Sequence, residues 1–402
     1  MSIVENHFDA ESAISLIKNA EIFFLTSLYG SSGGYFLNSL FDNHDEVFTF
    51  PWPIAHYIKS IDFEDNKMNA HVNAILNDEI FFDTSLGNAT VRGDSLHMLG
   101  DNKDSGIKIN KTKFSTCLKE LLSKLEFNAK HFTLSVVLSY QYCLYGRNNL
   151  TSKFVLYTHD MKQTLEFKEL FKTGKIIAIA RHPANTMISG TKQYYQKAID
   201  RNKTLSPYAY IFKKDQTFLY ENLNMGIVLL EELHYNPESS MKKLAKFMDI
   251  TFKSTLLEST FGGLKWWGIR VSILNGFSKT LHNKVNINFL GKNDECAIFL
   301  LTKELQFFLN YSSANDCKTF EKIRAFLPGK LFVHFYKNLI KTCIKKKNTQ
   351  RLQCVKYFLF YPLYSVFNNY KVLMENLTMK KRSFSNFDII NPLDSKSLER
   401  IR

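Results

Sequence analysis

Two short stretches carry residue types that can hold phosphate. The first, "YGSSGGYF" from Tyr29 to Phe36, follows the apolar run "EIFFLTSL" and precedes an amphipathic stretch. A helix that starts just after glycines presents unpaired N–H groups and the positive end of its dipole, so it can receive an anion without a basic side chain. Gly33 and Gly34 allow close backbone approach, and Ser31 and Ser32 add hydroxyl donors. A Walker A loop is excluded, because that motif needs a lysine and the run from Leu25 to Val47 holds no Lys or Arg. The second stretch is "KIIAIARHPANTMISG". Its short apolar strand delivers Arg181 at the C-terminal end, where ligands of α/β sheets sit. Ser189 follows about two helical turns later, and an arginine with a serine so spaced can clamp a phosphate group.

A third candidate is His159, which directly follows the run "KFVLYT" and should emerge at the same sheet edge as Arg181. A histidine titrates near neutrality and can take a proton from a reacting hydroxyl. His44, after the first loop, and His56, after the turn Pro51-Trp52-Pro53, are the alternatives. Each feature also has a plainer reading. The loop would be a tight turn, Arg181 a solvated helix-start residue, Ser189 a packing residue, and His159 a helix cap or pocket lining.

The elements that must position these residues alternate. Strand "EIFFLTSL", a helix over 33–42 and strand "EVFTF" come first, then a mixed, loop-rich segment to about Asp104. Two helical patterns follow, "KTKFSTCLKELLSKL" and "HFTLSVVLSYQYCLYG". Strand "KFVLYTH", helix "KQTLEFKELFK", strand "KIIAIA" and a helix from Pro183 to about Ala198 come next. "GIVLLEEL" has the pattern of one more buried strand, and "NPESSMKKLAKFMDI" of a helix with Pro237 in its first turn. Short apolar strands alternating with helices imply an α/β fold with a mostly parallel central sheet flanked by helices.

Length and composition fit that picture. With 402 residues, 45% of them apolar, the chain can bury a large core. Its polar N-terminus differs from a secretory h-region, and no apolar run approaches the ~20 residues that span a bilayer. Cys117, Cys143, Cys296, Cys317, Cys343 and Cys354 form no C-x-x-C pair, which favours a reducing, cytoplasmic compartment and argues against structural zinc. The net charge of +14 is uneven: residues 291–402 carry 20 Lys+Arg against 9 Asp+Glu, and the rest carry 32 against 29. The expected division is therefore an α/β domain at 1–290 and a basic, aromatic-rich helical region at 291–402.

In this order the elements resemble the sulfotransferases that use 3′-phosphoadenosine-5′-phosphosulfate (PAPS), with their P-loop-like core. That family's first loop reads roughly P-[RK]-S-G-T-T; its equivalent here is "GSSGGY", and "LFDNHDEV" is similar to the family's "LLxxHPEV". The second signature, R-[DN]-P-x-D-x-x-x-S, is matched by Arg181-His-Pro-Ala-Asn-Thr-Met-Ile-Ser189. "LLEELHYNPESSMKKLAKFMDI" and "TFGGLKWWG" extend the resemblance, which covers Glu21 to Gly268. It implies PAPS as sulfuryl donor, no metal, and a hydroxyl-bearing acceptor such as a glycan. Ser31, Ser32, Gly33, Gly34 and Tyr35 would cradle the 5′-phosphosulfate, Arg181 and Ser189 would clamp the 3′-phosphate, and Phe36 would lie against the adenine. His159 stands where many members place their base.

The chain departs from the family at Ser31, where a basic residue is usual, at Gly34 and Tyr35 in place of two threonines, and at His182. Lys265 is the residue expected to supply the missing cation. A catalytically silent relative that binds an anionic glycan, lipid or protein is the alternative. The basic stretch "NLIKTCIKKKNTQRLQCVKYFLFY" has two readings, a helical extension with solvated lysines or a peripheral contact with an anionic membrane or acidic polymer. No nucleic-acid module accompanies the charge, so nucleic-acid binding is not expected.

Overall fold

The computed structural model describes residues 8–28, 32–53, 68–88, 95–146, 152–189, 225–268, 275–279, 290–311, 329–330 and 387–392. In chain order these contain helix α1 (Ala10–Lys18), strand β1 (Glu21–Ser27), α2 (Gly34–Ser39), β2 (Val47–Thr49), α3 (Met68–Leu76) and α4 (Glu79–Phe82). Next come α5 (Lys111–Lys124), α6 (Ala129–Tyr145), β3 (Lys153–Tyr157), α7 (Met161–Phe171), β4 (Lys175–Ala180) and the helical residues 183–189, α8. They are followed by β5 (Met225–Leu229), α9 (Leu230–Tyr235), α10 (Pro237–Met248), β6 (Thr260–Phe261), β7 (Leu264–Lys265), α11 (Lys292–Phe308) and β8 (Phe387–Ile389).

The main sheet has six strands in the order β2-β3-β1-β4-β5-β8, and every adjacent pair is parallel. Its central strands are continuous apolar runs because both faces are covered. On one face Phe23, Leu25, Val155, Ile177 and Val228 pack with α2 and α10. On the other, Phe24, Phe48 and Phe154 meet α1, α5 and α6, while Ile176, Ala178 and Ile227 meet residues of α7, α8 and α11. Helix starts follow local chemistry: Asp9, Asn110, Asn128 and Asp160 each accept a backbone N–H of the first turn. At the N-terminal edge, Glu21 of β1 is bridged by Lys153 Nζ of β3 at 3.0 Å and Lys175 Nζ of β4 at 2.7 Å.

Three expectations change. The run "GIVLLEEL" is not one strand: β5 stops at Leu229 and the chain enters α9 without an intervening loop. β4, its neighbour, ends at Ala180 in the same register, so the ladder has no partner beyond Leu229. The first helix is shorter than 33–42, and the loop-rich segment before Asp104 contains α3 and α4. Finally, beyond residue 291 the described residues include a strand as well as a helix. α11 packs on the sheet, and β8 pairs in parallel with β5, Met225 to Ile227 facing Phe387 to Ile389. The side-chain amide of Asn391 extends this pairing by accepting from Leu229 N–H at 2.6 Å and donating to Leu229 C=O at 3.1 Å.

No helix among the described residues is long and apolar enough to cross a membrane. The stretch 338–361 that holds the basic cluster lies outside the described residues.

Candidate functional site

All strands of the six-stranded sheet are parallel, so the ends of β1, β3, β4 and β5 open on one edge. After β1 the chain leaves toward β2; after the adjacent β4 it leaves toward β5 on the other side. This divergence forms the crevice in which open α/β sheets bind ligands. The two phosphate-type stretches flank it, because one follows β1 and the other follows β4.

Tyr29, Gly30 and Ser31 lie outside the described residues. Ser32 is buried, and Gly33 is the N-cap of α2 with φ +95°, a conformation that favours glycine. Gly34 has a different reason to be glycine. A β-carbon there would stand 2.6 Å from Tyr157 Cε2 and 2.9 Å from Ser27 Oγ. Tyr157 is buried at the end of β3, its phenol hydrogen-bonds with Ser27, and burial raises its pKa. Its ring also meets that of Tyr35, centroids 4.9 Å apart. Phe36 packs its face on the imidazole of His234 at 4.7 Å and meets the edge of Phe277 at 5.3 Å. The loop glycines are thus set by packing on Leu230 and Tyr157.

Arg181 leaves β4 into the crevice. Its Nε is buried and has no hydrogen-bond partner among the described residues, and burial lowers the guanidinium pKa while the charge of Glu231 opposes that effect. A buried guanidinium nitrogen without an acceptor is costly unless an anion completes it. Thr26 Oγ1 on β1 and Thr186 Oγ1 on α8 are likewise buried without partners among the described residues. His182 opens α8: its Nδ1 accepts the Ala184 N–H at 3.2 Å, so it caps the helix as an Asp or Asn would. Burial pushes its pKa down, the charge of Arg181 adds to this, and Glu231 opposes it. Ser189 lies on α8, half-buried.

His159 is exposed at the end of β3, its ring 6.3 Å from that of Tyr157. It does not cap α7, since Asp160 accepts the Gln163 N–H at 2.9 Å. Thr158, just before it, is fixed to β1 by its N–H and hydroxyl, both donating to Leu25 C=O. His44 is committed elsewhere: Nε2 meets Thr251 C=O at 2.9 Å and Nδ1 accepts the Glu46 N–H at 3.1 Å. His56 lies outside the described residues.

Lys265 belongs to a separate neighbourhood. It sits on the β6–β7 hairpin, 3.5 Å from Asp101 and 4.7 Å above the Trp267 ring, and Lys103 also approaches that ring at 4.3 Å. The hairpin is anchored by buried Asp42, whose Oδ2 accepts from Tyr145, Thr260 and the Gly263 N–H. No described contact joins Lys265 to the loop at Ser32–Tyr35.

Sequence reasoning missed Glu231. It is fully buried beside Arg181 and accepts from the His182 N–H at 2.9 Å and from Tyr311 Oη at 2.7 Å. Its signal is an acidic pair directly behind an apolar run, and the run's pattern reads as strand throughout.

No protein-family model matches the chain, and no curated protein matches it. Among solved structures, a sulfotransferase domain from the curacin biosynthetic pathway is similar at 16% identity, over 65% of this chain and 85% of that one, with a TM-score of 0.32. That likeness is too loose to transfer residues or chemistry.

Proposed function

We propose that the chain is a transferase that binds PAPS and passes its sulfuryl group to an acceptor hydroxyl, with a glycan as the acceptor class. The observation that carries this reading is Arg181, a half-buried arginine at the crevice whose Nε is buried and has no hydrogen-bond partner among the described residues. The motif order quoted above supports it. Arg181 and Ser189 would hold the 3′-phosphate, and Ser31, Ser32, Gly33, Gly34 and Tyr35 would hold the phosphosulfate end, with Phe36 near the base. When bound, PAPS supplies an activated sulfuryl group. His159, exposed just after β3, which pairs with β1, would take the acceptor's proton as the new S–O bond forms. The bond from sulfur to the 5′-phosphate oxygen breaks in the same exchange, and its electron pair stays on the departing 5′-phosphate.

The test is thermal unfolding with adenosine 3′,5′-bisphosphate against ATP. The bisphosphate should stabilise the wild type by several degrees and Arg181→Ala hardly at all. Equal response of both proteins sinks the assignment. Transfer of labelled sulfate to extract acceptors should then be lost in His159→Ala with bisphosphate binding nearly intact. A second reading, a binding protein of the same fold without turnover, is favoured by one observation: Lys265 is engaged by Asp101 and Trp267. Bisphosphate binding without any sulfate transfer would select it.

A further inference from the structure

The direct passage from β5 into α9 places Glu231 at the crevice edge, and one carboxylate there joins two distant parts of the chain. Oε1 accepts the backbone N–H of His182, the residue after Arg181, at 2.9 Å, with Asn185 Nδ2 at 3.5 Å. Oε2 accepts the hydroxyl of Tyr311 at 2.7 Å. Tyr311 follows α11, is buried, and meets the His182 imidazole edge-on at 5.1 Å. Its own backbone is fixed by an N–H bond to Gln306 C=O at 2.9 Å. From the other side, Asn391 pins the backbone of Leu229, two residues before Glu231.

A buried carboxylate must be oriented and satisfied by donors, and this one also lends favourable charge to Arg181. Removing the Tyr311 hydroxyl takes one donor from Oε2 and loosens the orientation of the carboxylate. The His182 N–H, and with it the backbone that aims Arg181, would lose its fixed anchor.

We propose that Tyr311 is a positioning residue for the anion site: acting through Glu231, it holds Arg181 in the orientation in which the guanidinium receives a phosphate. The C-terminal part of the chain is then a component of the site. The proposal rests on the reading that Arg181 takes the 3′-phosphate of an adenosine nucleotide.

The experiment is calorimetric titration of the full chain with adenosine 3′,5′-bisphosphate and with adenosine 5′-monophosphate, for wild type, Arg181→Ala, Tyr311→Phe and the double variant. Tyr311→Phe should weaken the bisphosphate about tenfold and leave the monophosphate within about twofold. The double variant should bind the bisphosphate no more weakly than Arg181→Ala alone, as expected when one residue acts through the other. An unchanged bisphosphate affinity in Tyr311→Phe, or equal weakening of both nucleotides, overturns the proposal. If Arg181→Ala itself leaves the bisphosphate affinity unchanged, the anion reading fails first.

Discussion

A β-carbon on Gly34 would lie 2.6 Å from Cε2 of Tyr157, so a tyrosine at the end of β3 dictates the residue that opens α2. The ring is buried and its hydroxyl is tied to Ser27, so it cannot swing aside cheaply.

Gly34→Ala should therefore destabilise the fold by about 2 kcal/mol, as overpacking in a filled core does. Tyr157→Leu in the same chain should recover part of that loss. Denaturant midpoints of the two single variants and the double variant check this, and strictly additive losses would show that the ring is not what excludes the methyl.

His182 gives a pH dependence with a definite sign. Its folded pKa lies below the ordinary 6.5 because burial and Arg181 disfavour the imidazolium. The unfolded chain then binds more protons below pH 6.5, so this contribution is fully present above that pH and is lost as pH falls through the folded pKa. His182→Asn keeps an acceptor for the Ala184 N–H and removes the titration. The stability difference between variant and wild type should move in the variant's favour from pH 6.5 toward 5, by at most about 1.4 kcal/mol per pH unit. Parallel curves of unfolding free energy against pH would contradict this.

Asp42 is the acceptor for Tyr145, Thr260 and Gly263, and the charge is buried, which raises its pKa. Asp42→Ala strands three donors and should cost about 3 kcal/mol or more. Asp42→Asn, which keeps one acceptor and removes the buried charge, should cost less. Hydrogen exchange at the Gly263 amide should accelerate in both variants if Asp42 is the anchor of the β6–β7 hairpin.

Lys265 sits with Asp101 and Trp267, in a pair open enough to solvent that its loss is mild for stability. Lys265→Ala should leave bisphosphate affinity within about twofold of wild type. A loss comparable to that of Arg181→Ala, measured by the same titration, would return Lys265 to the nucleotide.

The sequence by itself determined the parallel sheet and the placing of both phosphate-type stretches. Continuous apolar runs such as "KIIAIA" must be covered on both faces, and Arg181 directly behind such a run must emerge at a strand end. Local patterns of this kind need no knowledge of partners. Tertiary structure alone decided what those residues face. That "GIVLLEEL" breaks at Leu229 follows from where β4 stops, and that β8 joins β5 follows from a pairing across 162 residues, as between Leu229 and Asn391. Gly34 answers to Tyr157, Lys265 to Asp101 and Trp267, and Glu231 to Tyr311. Such contacts are set by long-range packing and by the pairing of buried polar groups, which no local window of sequence encodes.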